Sequence, residues 1–341
     1  MTTRLAIDVQ MVRGDAVESR HQIEAAVVRV DGTAVAVTAD PDQTTTFRSA
    51  AKPFQLLPLV ERGHADRWGF ADEDLAVMAA SHTGSPAHVE RVSGILARIG
   101  LGERDLACGI HDPQDPISLD HVRRHPEAAS PLYNNCSGKH AGMLALALAE
   151  GWPTHGYQHA DHPVQQLMRR TIAEVCGMET EAVGIAVDGC SVSVFIVPLS
   201  RMARAWARLA VARPAGDARE RALDRIRGAM VAHPRATSGA GQFSAELMER
   251  TAGRVVAKGG AEGLQCLAVP QQGLGIALKC EDGAGRAVGP ATVALLEQIG
   301  VLTPAERVAL EGWGRTVVRN HAGLEVGYVS AQLRVREAME V

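Results

Sequence analysis

Aromatic side chains are scarce in this sequence, with 4 Trp, 3 Tyr and 5 Phe among 341 residues. Recognition by stacking bases or sugars on aromatic platforms is therefore not expected. A basic surplus is also missing: 35 Lys and Arg stand against 39 Asp and Glu, a net charge of -4. That balance argues against nucleic acid as a partner. Long apolar runs are lacking, and stretches such as Met143 to Ala149 fall well short of the roughly 20 residues that cross a bilayer. The opening MTTRLAIDVQMVRGD breaks its short apolar run with Asp8 and Gln10, unlike a secretory leader. The expectation is a cytoplasmic protein with no membrane partner.

Several catalytic signatures are missing too. No two of Cys108, Cys136, Cys176, Cys190, Cys266 and Cys280 have C-x-x-C spacing, which removes zinc-finger and thioredoxin motifs. The sequence has no H-E-x-x-H, and His82, His88, His111, His140 and His233 do not supply one, so a zinc hydrolase of that type is not expected. G-x-S-x-G is absent, which argues against an α/β-hydrolase. Asn134 to His140 looks like a phosphate loop but has Tyr133 and His140 where Gly and Ser or Thr are required.

The elements that are present alternate in type. Two apolar runs flank Asp31-Gly32 and read as a hairpin, with residues 4 to 9 as a neighbouring strand. Helical patterns follow at about 50–61, 71–80 and from Ser85-Pro86 to Gly100. Residues 104 to 132 carry little pattern. Helices are expected at about 137–150, 163–175, 199–212, 217–231 and 288–299. Val183 to Val187 reads as a buried strand, and 255–258, 264–269 and 274–280 as short antiparallel strands. Strands at both ends with helices between predict an α+β fold whose terminal strands share one sheet. No linker divides residues 1–341, although the helical region of about 137–250 could form a sub-domain.

Four motifs can carry chemistry. Ser49-Ala50-Ala51-Lys52 puts a hydroxyl and an amine three residues apart on one helix face. A serine needs a base to become a nucleophile, and a lysine serves only when its pKa is lowered. S-x-x-K is the nucleophile motif of penicillin-recognising enzymes, whose late K-T-G has a counterpart in Lys258-Gly259-Gly260. Ser81 sits on the tight joint ASHTGS, whose N–H groups could bind an oxyanion. Asn134-Asn135-Cys136-Ser137-Gly138-Lys139-His140 opens a helix, and Cys190 follows the turn Asp188-Gly189. Two thiolates suit zinc, but spacing alone equally fits buried thiols.

Together FRSAAKPFQ, ASHTGSPAH, NNCSGKHAGMLA, VDGCSVS, GAGQF and AKGGAEG resemble the asparaginase II family, the thermolabile class 3 L-asparaginases. The motifs run in the family's order over about residues 20 to 285. The resemblance implies a serine β-lactamase-like, penicillin-binding-like fold and a homodimer. It also implies hydrolysis of L-asparagine to L-aspartate and ammonia. Carried over by position, Ser49 pairs with Lys52 and Ser81 with Lys258; the expectation is that Ser49 attacks with Lys52 as its base while Ser81 and Lys258 shuttle protons, the alternative being Ser81 as nucleophile and Ser49 as relay. Cys136, Lys139 and Cys190 match zinc-associated positions, with the metal orienting substrate and no organic cofactor required. Arg48, Asn135, Lys139, His140 and Asp188 match positions near the substrate. Gly259 replaces the hydroxyl residue of the general K-T-G pattern. The alternatives are a glutaminase, a penicillin-recognising hydrolase, and a non-catalytic amino-acid or metal sensor.

Overall fold

The computed structural model describes residues 2–336. The chain divides into two compact units. The first runs through Ala50, takes in Val197–Val211 and resumes at Leu247. The second comprises Ala51–Ile196 and Ala212–Glu246. The helical unit thus begins well ahead of residue 137, and helix Leu199–Val211 belongs with the sheet.

The first unit is built on an eight-stranded sheet. Across it the strands run Arg315–Arg319, Glu325–Arg336, Thr3–Arg13, Ala34–Val37, Ala16–Arg29, Leu274–Cys280, Leu264–Val269 and Val256–Gly260. Both chain ends share this sheet, as the alternation of element types predicts. Leu5, Ile7, Val9 and Met11 are buried and their neighbours are partly exposed, the period-two signature of a strand with one covered face. Ala16–Arg29 is long enough to pair with two strands along one side, with Leu274–Cys280 along the other. Its first half meets Thr3–Arg13 with Ile7 opposite Ile23, and its second half meets Ala34–Val37 with Val27 opposite Ala36. Leu274–Cys280 is buried at every residue. Helix Leu199–Val211 packs on it through the face carrying Met202, Ala203, Trp206 and Ala207, an i, i+3/i+4 stripe.

The last two strands, Arg315–Arg319 and Glu325–Arg336, carry no readable sequence signal. They are mostly exposed and interleaved with arginines. Glu325–Arg336 pairs with the first strand, with Val9 opposite Ala331, and Arg315–Arg319 pairs only with Glu325–Arg336; the pairing with the first strand is one no local pattern reveals.

The second unit is mainly helical. Its helices include Lys52–Glu61, Asp72–Met78, Pro86–Arg98, Pro116–Arg124, Ser137–Ala149, Pro163–Cys176 and Ala218–Ala232. Pro116–Arg124 corrects the reading of 104–132 as patternless: Asp115 caps it by accepting the Ser118 N–H at 3.0 Å, a contribution of about 1 kcal/mol. The strand expected at Val183 to Val187 exists as Gly184–Val187, but it is not buried, and Val187 is 79% exposed. It pairs antiparallel with Ser193–Pro198. An unbroken apolar run reads as buried, and here it forms a sheet edge. Among the described residues no helix is long and apolar enough to cross a membrane.

Candidate active site

The joint between helices Asp72–Met78 and Pro86–Arg98 holds Ser81 in a fixed frame. The Ser81 N–H donates to Thr237 O at 3.2 Å and the His82 N–H to Asn135 O at 3.3 Å. The Gly84 N–H donates to His82 Nδ1 at 3.1 Å. His82 Nε2 then meets Ser137 Oγ at 2.9 Å, and that hydroxyl donates to Leu132 O. Gly84 has φ +70, and a Cβ there would lie 2.7 Å from Tyr133 O, so only glycine fits. These bonds correct one expectation: the N–H groups of Ser81, His82 and Gly84 are already used and do not form an oxyanion site.

Lys52 is the first residue of helix Lys52–Glu61 and is 1% exposed. Its Nζ lies 2.6 Å from Ala80 O, 2.9 Å from Ser81 Oγ and 3.3 Å from Asn135 O. An ammonium would spend its three N–H bonds on these oxygens. A neutral amine would keep two N–H bonds for the two carbonyls and a lone pair for the Ser81 hydroxyl. Burial lowers the Lys52 pKa, the Cys136 thiolate opposes this, and the Lys139 charge adds to it. The arrangement is that of a serine and its base. Lys52, which the S-x-x-K spacing assigns to Ser49, is bonded to Ser81.

Helix Ser137–Ala149 brings in the second group. A Cβ at Gly138 would lie 2.2 Å from Val77 O, so glycine permits a close backbone approach to helix Asp72–Met78. Asn134 orders the preceding turn by donating to Cys108 O and Gly109 O and accepting the Cys136 N–H. Lys139 Nζ is 3.0 Å from Cys190 Sγ and 3.9 Å from Asp188 Oδ2. The Cys190 hydrogen bond holds the Cys136 thiol well below its ordinary pKa against its burial, with help from the Lys139 and Lys52 charges. Burial disfavours the charge on Lys139, but Cys136, Cys190 and Asp188 outweigh it and push its pKa up.

Cys136, Asp188 and Cys190 offer ligand atoms that all lie within 4.8 Å of one another. Two thiols and a carboxylate suit zinc. Lys139, as the ammonium these neighbours favour, is their counter-ion and becomes a ligand only on losing a proton. Asn135 completes the cluster, with Oδ1 3.1 Å from Cys136 Sγ.

His140 is fully buried. Its Nδ1 is 2.6 Å from Tyr157 Oη, which accepts the Ala107 N–H at 2.9 Å. Burial, followed by the charges of Lys139 and Lys52, keeps the ring neutral. The motifs do not reveal Tyr157, which lies in an irregular segment between helices. Its one sequence signal is rarity, as one of three tyrosines.

Arg48, Ser49 and Lys258 belong to the sheet unit. Arg48 has φ 41, in the left-handed region. The Cβ position of Gly260 lies 3.1 Å from Arg48 Cβ, so the Gly-Gly strand end lets the chain at Arg48 approach. Ser49 follows, half-buried, in the 3₁₀ turn Arg48–Ala51. Lys258 lies on edge strand Val256–Gly260 opposite Cys266, is 2% exposed, and donates to Gly259 O at 2.8 Å.

The family model described as L-asparaginase II matches residues 9–331. No curated protein matches the chain. Among solved structures, a native form of Mglu is similar at 16% identity and a TM-score of 0.43, covering 84% of this chain. The chain spans 60% of the length of that Mglu chain. A β-lactamase from Mycobacterium bovis is similar at 14% identity and a TM-score of 0.41, covering 81% of this chain and 94% of that one.

Proposed function

We propose that this chain, which belongs to the L-asparaginase II family, hydrolyses the side-chain amide of L-asparagine to L-aspartate and ammonia. The observation that carries the reading is the buried Lys52 amine bonded to Ser81 Oγ at 2.9 Å. Neutral Lys52 takes the Ser81 proton as the serine oxygen bonds to the amide carbon. The carbon–nitrogen bond then breaks, and the proton on Lys52 leaves with ammonia. Water attacks the resulting ester and returns a proton to Ser81, releasing L-aspartate. Asp188 supplies a carboxylate for the substrate ammonium group, a charge-assisted contact that selects an amino acid. Arg48 supplies a cation for its carboxylate, and Ser49 and Lys258 form the remaining members of the two Ser/Lys sets, as the resemblance implies.

Cys136 and Cys190, with Asp188 or a deprotonated Lys139, would hold a zinc ion. Bound there, zinc would supply Lewis-acid charge to a substrate oxygen. A cytoplasmic homodimer is part of the same reading, and sedimentation of the purified chain tests the dimer.

The decisive experiment is ammonia release from L-asparagine, with L-glutamine, Ser81→Ala and Ser49→Ala run in parallel. Release from asparagine that disappears in a serine variant supports the reading. No release from asparagine by folded protein at neutral to alkaline pH overturns it. Faster release from glutamine assigns a glutaminase.

A further inference from the structure

The buried contacts of His140 define which ring nitrogen carries its proton. Tyr157 Oη has one hydrogen to donate and room to accept. The Ala107 backbone has no alternative to donating, and it donates to Tyr157 Oη at 2.9 Å. If His140 Nδ1 also donated to that oxygen, the tyrosine hydrogen would have no acceptor among its contacts, in a side chain only 1% exposed. An unsatisfied buried hydroxyl costs about 1–3 kcal/mol. The economical arrangement runs one way, from the Ala107 N–H to Tyr157 Oη and from the Tyr157 O–H to His140 Nδ1 at 2.6 Å. The proton of the neutral ring then sits on Nε2. That atom is buried and has no hydrogen-bond partner among the described residues.

We propose that Tyr157 is a positioning residue that fixes His140 as an Nε2–H donor, held ready for an oxygen of the substrate, carboxylate or carbonyl. The reading rests on the amidohydrolase assignment above for the identity of the ligand, but the tautomer itself does not. A buried donor without a protein partner strengthens any ligand that brings an acceptor, because the ligand removes the cost of the orphan group. It also discriminates against a ligand that presents an N–H or ammonium at that point, where two donors would face each other. Lys139, the neighbouring residue, points its amine at Cys190 instead. His140 and Lys139 therefore divide the work, one facing an oxygen and the other balancing a thiol.

The test uses ¹⁵N-histidine-labelled full-length protein, with the His140 signals identified by their loss in His140→Gln. The expected result is an Nε2–H tautomer in wild type and loss of that single tautomer in Tyr157→Phe, which keeps the ring but not the hydroxyl. kcat/KM for L-asparagine should fall about 10- to 100-fold in Tyr157→Phe, as for one buried hydrogen bond, with the circular dichroism spectrum unchanged. His140→Gln, whose amide nitrogen can replace the Nε2 donor, should retain more activity than His140→Asn. β-Alaninamide, which lacks the α-carboxylate altogether but keeps the amino group and the side-chain amide, separates the two acceptors. A variant penalty that persists on it assigns the side-chain carbonyl, and one that vanishes assigns the carboxylate. An Nδ1–H tautomer in wild type, or an unchanged kcat/KM in Tyr157→Phe, overturns the proposal. An Nε2–H tautomer in a protein that hydrolyses no amide would refute the asparaginase reading alone.

Discussion

Replacing Ser81 by alanine separates a catalytic hydroxyl from a structural one, because the surroundings of Lys52 keep the two effects apart. The Lys52 amine has three oxygen partners, and the substitution removes one of them. The carbonyls of Ala80 and Asn135 stay bonded, and Ser81 itself is only half-buried. The stability loss should therefore be about 1 kcal/mol, a fall in Tm of roughly 1–2 °C for a chain of 341 residues. Turnover should fall on the order of 10⁴-fold, since members of a nucleophile–base unit act together. Lys52→Met is a poorer probe. It leaves the buried Ala80 carbonyl unpartnered at about 1–3 kcal/mol, while Asn135 O keeps the His82 N–H, so its loss of activity is mixed with a loss of fold. The assay is coupled ammonia detection on L-asparagine, with thermal melts of the same preparations. A Ser81→Ala protein that melts as expected yet keeps kcat within about tenfold of wild type would show that the Lys52–Ser81 bond serves only the fold.

Burial, aided by Lys139 and opposed by Cys136, holds the Lys52 pKa below 10.5, and the neutral amine is the active form. kcat/KM should therefore rise with pH and level off below the ordinary lysine range; a flat profile from acid to alkali is incompatible with a lysine base. The unfolded chain keeps that proton up to about pH 10.4. Stability from this residue should then also rise with pH between the folded and unfolded values, as urea midpoints at pH 7 and 9 would record. Gly138→Ala, with its Cβ 2.2 Å from Val77 O, should cost about 1–3 kcal/mol by overpacking; an unchanged melting temperature would mean that the helices part without penalty. Cys136→Ser should weaken zinc binding in equilibrium dialysis and raise KM more than it lowers kcat. Chelation that changes neither would remove the metal from the reaction.

Local chemistry made much of this protein legible from its residues alone. The Asp31-Gly32 hairpin, the Ser85-Pro86 helix start and the apolar stripes of helices such as Leu199–Val211 depend on neighbours within a few positions. Elements decided by distant partners were not legible. The exposed strand Glu325–Arg336 takes its place because the first strand of the chain presents an edge to it, and Arg315–Arg319 then pairs with Glu325–Arg336. The apolar Gly184–Val187 lies exposed because the tertiary structure covers only part of it. At the site, S-x-x-K spacing joined Lys52 to Ser49, whereas the folded chain brings Ser81 to its amine across 29 positions. Tyr157 reaches His140 in the same way, through a hydrogen bond that no spacing encodes. Sequence alone determined which residue types were available, because helix, turn and motif energetics are local. Which hydroxyl meets which base, and which histidine nitrogen holds the proton, was decided by the tertiary structure, because long-range packing sets the partners of a buried polar group.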